Sequence, residues 1–91
     1  MTDATHATET REILRRFILN ELLLGDSSAM LADSDSFIDT GTIDSTGVLE
    51  VVTFIEQTFG IQVADREMVP ENLDSIDRLV AFIGSKQRHA A

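Results

Sequence analysis

The chain has 91 residues, 7 Lys plus Arg against 16 Asp plus Glu, no Cys, Trp or Tyr, and a formal net charge of −9. This is the size of one small domain, residues 1–91 with a core over about 5–86, too small for the deep cleft of a large enzyme. Without cysteine there is no disulfide framework, thiolate metal site or cysteine nucleophile, and no apolar run exceeds the five residues Leu79 to Ile83, so a cytoplasmic protein without signal peptide or membrane span is expected.

The charge is unevenly placed. No Lys or Arg lies between Arg16 and Arg66, whereas nine acids do: Glu21, Asp26, Asp33, Asp35, Asp39, Asp44, Glu50, Glu56 and Asp65. Such a middle repels nucleic-acid phosphates and steers basic protein surfaces toward it; a solvated face kept for solubility is the plainer reading of the same charges.

In chain order, Ile13, Leu14, Phe17, Ile18 and Leu22 form one stripe of a helix from about residue 5 to Leu24, stopped by Gly25. Glu12 stands in the favourable order before Arg15 and Arg16 for pairing on the helix surface. From Gly25 to Asp44 no period is sustained beyond a short turn near Ser27 to Ala32. A long loop is therefore expected, pinned by scattered apolar residues such as Phe37 and Ile38. Val48, Val51, Val52, Ile55 and Phe59 then repeat at helical spacing, with Asp44 placed as N-cap and Gly60 as stop. Ile61 to Asp74 is a connection with one turn at Asp65 to Met68. A last helix starts at Asp74 or Ser75, buries Ile76, Leu79, Val80 and Ile83, and is expected to stop at Gly84. The sum is an all-α, small four-helix bundle: three longer helices, one short helix, and a long loop between the first and second.

Few residues in this pattern carry chemistry. His6 and His89 stand alone near the termini and are read as bystanders. Asp33-Ser-Asp35-Ser-Phe37-Ile38 fails as a calcium loop, because Ile38 occupies the position that needs glycine and Asp44 the one that needs Glu. Asp39-Thr40-Gly41 is the tripeptide of dimeric aspartic proteases, but those are all-β and the periods here are helical. Asp-Ser occurs five times and as a dipeptide means nothing: three pairs fall in the loop, and Asp74-Ser75 is explained by capping the last helix. Asp44-Ser45 differs in context. It follows the loop, opens the most amphipathic helix, and continues as Thr46-Gly-Val-Leu-Glu50-Val-Val, ending in Glu56-Gln-Thr-Phe-Gly-Ile61.

In these residues, and in Pro70-Glu-Asn-Leu-Asp-Ser-Ile76, the chain resembles the acyl and peptidyl carrier protein family from about Ile13 through Ile83. The resemblance implies that a phosphopantetheinyl transferase joins 4′-phosphopantetheine from coenzyme A to Ser45, with Asp44 the acidic residue beside it. Thr46, Leu49, Glu50, Thr53 and Glu56 match the surface that partner enzymes read. The arm supplies the thiol that the chain lacks, holding an acyl or aminoacyl group as a thioester, and the carrier itself catalyses nothing. Many members have Gly three residues before the serine and a bulky apolar residue after it; here Gly41 lies four before and Thr46 follows. Asp44-Ser-Thr-Gly-Val-Leu-Glu50 looks more like free-standing aminoacyl carriers loaded by a stand-alone ligase, monomeric when free and passing their cargo to an acceptor enzyme. The rival reading is an acidic helical adaptor that binds a basic partner through Leu49, Glu50 and the loop with no cofactor, and would tolerate loss of the Ser45 hydroxyl.

Overall fold

The structure is a computed structural model that describes the backbone of residues 2–90 and the side chains of residues 7–44 and 46–88. The expectations for His6 and His89, and the direction of the Ser45 hydroxyl, concern side chains outside the described residues. Three long helices form, α1 (Thr2–Phe17), α3 (Ser45–Phe59) and α5 (Ile76–Ala90), with two one-turn helices, α2 (Phe37–Thr40) and α4 (Pro70–Leu73); no strand occurs among the described residues.

Apolar stripes bring the long helices together. Leu14 and Ile18 meet Val51, Val52 and Ile55 of α3 and Ile76, Leu79, Phe82 and Ile83 of α5 in one buried cluster, closed by Phe37, Ile43, Ile61, Val63 and Leu73 from the connections. Burying a side chain of this size is worth about 1.5–3 kcal/mol, so the packed stripes rather than helix propensity hold the bundle. At the edge of this core the rings of Phe17 and Phe54 stack with centroids 4.0 Å apart.

Two of the long helices end by identifiable local devices. Gly60 closes α3 with φ 68° and its N–H bonded to the Glu56 carbonyl, as its place after Phe59 predicts. The end of the first helix is wider than an α-helix: Ile18–Leu22 forms a π-helical turn, the Leu23 N–H reaches the Ile18 carbonyl at 2.9 Å, and the chain leaves through Leu24 (φ 53°) and Gly25 (φ 86°). Gly84 does not stop the last helix, which continues to Ala90. A glycine inside a helix costs only about 1 kcal/mol against alanine. Beyond Gly84, Lys86 ties α5 back to the fold through Glu67 at 2.8 Å, with the Phe82 ring 5.9 Å from its ammonium. Lys86 and the Ala64 N–H hold the Glu67 carboxyl below its ordinary value.

The segment Gly25 to Asp44 is also more ordered than its sequence suggests, because charges hold it across the fold. Asp26 caps a 3₁₀ turn, Ser27–Ala29, by accepting the Ser28 N–H at 3.1 Å, and α2 adds a second helical turn before Gly41. Arg11 and Arg15 both grip Asp33, Arg11 at 2.8 Å, and Arg11 also reaches Asp77. Arg15 further donates to the Leu31 carbonyl at 3.2 Å, so it serves the loop rather than the expected pairing with Glu12. The Asp33 carbonyl in turn accepts the Asp77 N–H at 3.0 Å, joining loop to α5. Partial burial pushes the Asp33 carboxyl up, but the hydrogen bonds from Arg11 and Arg15 outweigh it and hold the group below its ordinary value. The hydrogen bonds that Arg11 donates to Asp77 and Asp33 raise its own value correspondingly.

Candidate functional site

The five Asp-Ser pairs are used in different ways. Asp26 caps the 3₁₀ turn, and Asp33 is locked to Arg11 and Arg15. In Asp35-Ser36 the acid accepts the Ala32 N–H at 3.1 Å, while Ser36 Oγ caps α2 by accepting the Asp39 N–H at 3.0 Å. Ser75 is 3% exposed, and its hydroxyl caps α5 by accepting the Arg78 N–H at 3.0 Å. Its neighbour Asp74, expected from sequence to share in that cap, turns its carboxylate to α2 instead.

Asp44-Ser45 alone sets the serine as first residue of a long helix with its acid as the cap. Asp44 has extended backbone and accepts the Gly47 N–H at 2.8 Å. Gly47 permits this closeness: a Cβ there would lie 3.0 Å from Ile43 Cγ2 and 3.5 Å from the Asp44 carboxylate. Helix geometry leaves the first N–H groups of α3 without carbonyl partners and gives that end a partial positive charge, a setting suited to a phosphate ester.

Two apolar hollows lie along α3. A cleft of about 430 Å³ runs between Ile43, Asp44 and Val48 on one side and Met68, Val69, Pro70 and Leu73 on the other, with Ile38 in its lining. A shallower groove, also about 430 Å³, is lined by Phe17, Thr46, Leu49, Glu50, Thr53 and Phe54, with Gln57. Four residues read from sequence as a partner surface, Thr46, Leu49, Glu50 and Thr53, thus come together along one groove, and Leu49 is 56% exposed. Glu56 stands apart: its carboxylate accepts the Val63 N–H at 2.9 Å and holds down the segment that buries Ile61 and Val63. Phe17 is legible in sequence only as part of the first helix's apolar stripe and Phe54 belongs to neither reading of its helix, and nothing local marks them as groove lining. Asp39 lies exposed in the one-turn α2, and among the described residues there is none of the β-sheet architecture that an aspartic protease dyad requires.

A small all-α bundle whose longest internal helix begins at an acid-capped serine, beside an apolar cleft, is the form of a carrier domain. Compared with protein families, residues 18–83 match the phosphopantetheine attachment site family, and the chain belongs to it. It is a non-catalytic carrier whose cofactor is covalent 4′-phosphopantetheine, and such domains work by meeting a phosphopantetheinyl transferase and partner enzymes. The chemistry at the head of α3 fits that group: a helix N-terminus, whose dipole favours a phosphate, and an apolar cleft alongside for the rest of the arm. Among the described residues, no helix is long and apolar enough to cross a membrane.

Proposed function

We propose that Ser45 is the attachment residue, that Asp44 orders the start of α3 beside it, and that the chain is a single cytoplasmic carrier domain for aminoacyl cargo. The observation that carries the assignment is the contrast among the Asp-Ser pairs. Ser75 is buried and spent as a cap, Ser36 is bonded to Asp74 and the Asp39 N–H, and only Ser45 opens a long helix. The arm supplies a terminal thiol to a chain with no cysteine, and the thiol holds the cargo as a thioester.

The aminoacyl reading rests on the stretch Asp44-Ser-Thr-Gly-Val-Leu-Glu50, with loading by a stand-alone ATP-dependent ligase and delivery to an acceptor enzyme. Partner enzymes dock on the groove side of α3, through Leu49 with Thr46, Glu50 and Thr53. Exposed Asp39, Asp44 and Glu50, with no basic residue between Arg16 and Arg66, steer basic partners to the serine and allow quick release.

The test is the intact mass of the purified chain before and after incubation with coenzyme A, magnesium and a broad-specificity phosphopantetheinyl transferase. The expected result is a gain of one phosphopantetheine in the wild type and in Ser75→Ala, and none in Ser45→Ala with its helical spectrum retained. A gain in Ser45→Ala would move the site to another serine. Once modified, the wild type would be offered single amino acids and fatty acids with candidate ligases and ATP; loading by fatty acids alone would overturn the aminoacyl reading.

A further inference from the structure

The cleft beside Ser45 has one wall whose construction the carrier function leaves unexplained. α2 is four residues long, far too short to persist by itself, and the groups that satisfy its first turn come mostly from one distant residue. The Phe37 N–H bonds the Asp74 carbonyl at 2.8 Å, the Ile38 N–H bonds the Asp74 carboxylate at 3.0 Å, and the Ser36 hydroxyl donates to the other carboxylate oxygen. Asp74 follows directly on α4 and precedes the cap of α5. By hydrogen bonding, α2 is therefore an extension of the α4–α5 junction, although it lies next to α3 in sequence.

Its other end is tied closely to the serine. Gly41 closes α2 in the left-handed region, the Thr42 N–H returns to the Phe37 carbonyl at 2.9 Å, and the chain passes through Ile43 to the cap Asp44. A short, bonded path thus runs from Asp74 through α2 to the head of α3. On that path Ile38 lines the cleft yet is 55% exposed, with its backbone fixed by Asp74. An aliphatic side chain held half in water at the mouth of an apolar cleft gains by being covered.

We propose that Asp74 is a positioning residue for the carrier site: it joins α2 and the α4–α5 junction into one wall and holds Ile38 where it meets the apolar part of the arm on Ser45. The proposal rests on the assignment of the arm to Ser45. The cleft then opens between α3 and this composite wall rather than between α2 and α4.

Amide exchange and amide resonances of the full chain, unmodified and modified with coenzyme A and the transferase, test it in wild type, Asp74→Ala, Asp74→Asn and Ser75→Ala. In unmodified Asp74→Ala, the Gly41 and Thr42 amides, which bond within α2 and not to Asp74, exchange about tenfold faster, while Val51 keeps its protection. Asp74→Asn, which retains an oxygen for the Ile38 N–H, recovers part of that protection. On modification, the Ile38 and Val48 resonances both move in the wild type and in Ser75→Ala, which loses only the α5 cap; in Asp74→Ala the Val48 response stays and the Ile38 response is lost. Unchanged exchange at Gly41 and Thr42, or an Ile38 response that survives in Asp74→Ala, would overturn the proposal alone. A wild type that gains no mass would overturn the Ser45 assignment and this proposal together.

Discussion

Helix α3 and the segment that leads into it, Gly25 to Asp44, meet at Ser45 but are held by different forces. α3 is fixed by an apolar stripe, with Val51, Val52 and Ile55 buried against α1 and α5. The preceding segment buries two side chains, Phe37 and Ile43, and otherwise depends on polar anchors: Asp33 between Arg11 and Arg15, and Asp74 reaching α2. Apolar burial responds little to salt or pH, whereas a partly exposed charge cluster responds to both. Ser45 therefore stands at a junction between an element held by apolar burial and one whose hold depends on conditions.

Phe37→Ala strikes at the largest apolar anchor of the segment and is expected to destabilise by about 3–5 kcal/mol, as much as Ile55→Ala in α3 at about 2–5 kcal/mol. Urea unfolding of both variants checks this. A loss below about 1 kcal/mol for Phe37→Ala would mean that the polar anchors suffice alone.

Asp33→Asn sharpens the contrast at a smaller scale. A loss of about 1–2 kcal/mol is expected at low salt, shrinking as salt is added, with no such salt dependence for Ile55→Ala. The pH dependence has a fixed sign. Asp33 and Glu67 titrate lower in the fold than their ordinary values of 3.8 and 4.5, so the unfolded chain binds protons first as pH falls. Their contribution is whole above those values and is lost as pH drops through the lower folded ones. Unfolding midpoints followed down from about pH 6 should fall below about pH 4.5, less steeply in Asp33→Asn; equal slopes would remove Asp33 as the anchor.

The smallest effect is a gain. Gly84 lies inside α5 and a Cβ there would meet only Arg88, at 3.7 Å, so Gly84→Ala should raise stability by about 0.5–1 kcal/mol in thermal unfolding. A loss would show that α5 needs glycine for a reason other than backbone freedom.

The same division decides what could be read from sequence. The stripe of α3, its Asp44 cap and its Gly60 stop are local patterns, and all appear in the structure. α2 carries a local signal as well, Ser36 three residues before Asp39 and Gly41 behind, but a single turn has no period to support it. Gly84 misled because a stop residue acts only where the chain beyond has nothing to hold it, and Lys86 does. The use of Asp74 by α2 and of Glu56 by Val63 joins residues distant in sequence, which no periodicity records. At the site, four of the five expected surface residues share a groove because they share a helix face; Phe17 and Phe54 join them only once α1 packs on α3.

The polar anchors also bear on the order of events in time. Arg11 and Asp33 are 22 residues apart and Ile38 and Asp74 are 36 apart, so neither contact can form until long stretches of chain have been closed into loops. The buried stripes of α1, α3 and α5 bring those partners within reach. The head of α3 is thus reached through a stretch of chain whose polar contacts depend on the packing of all three long helices.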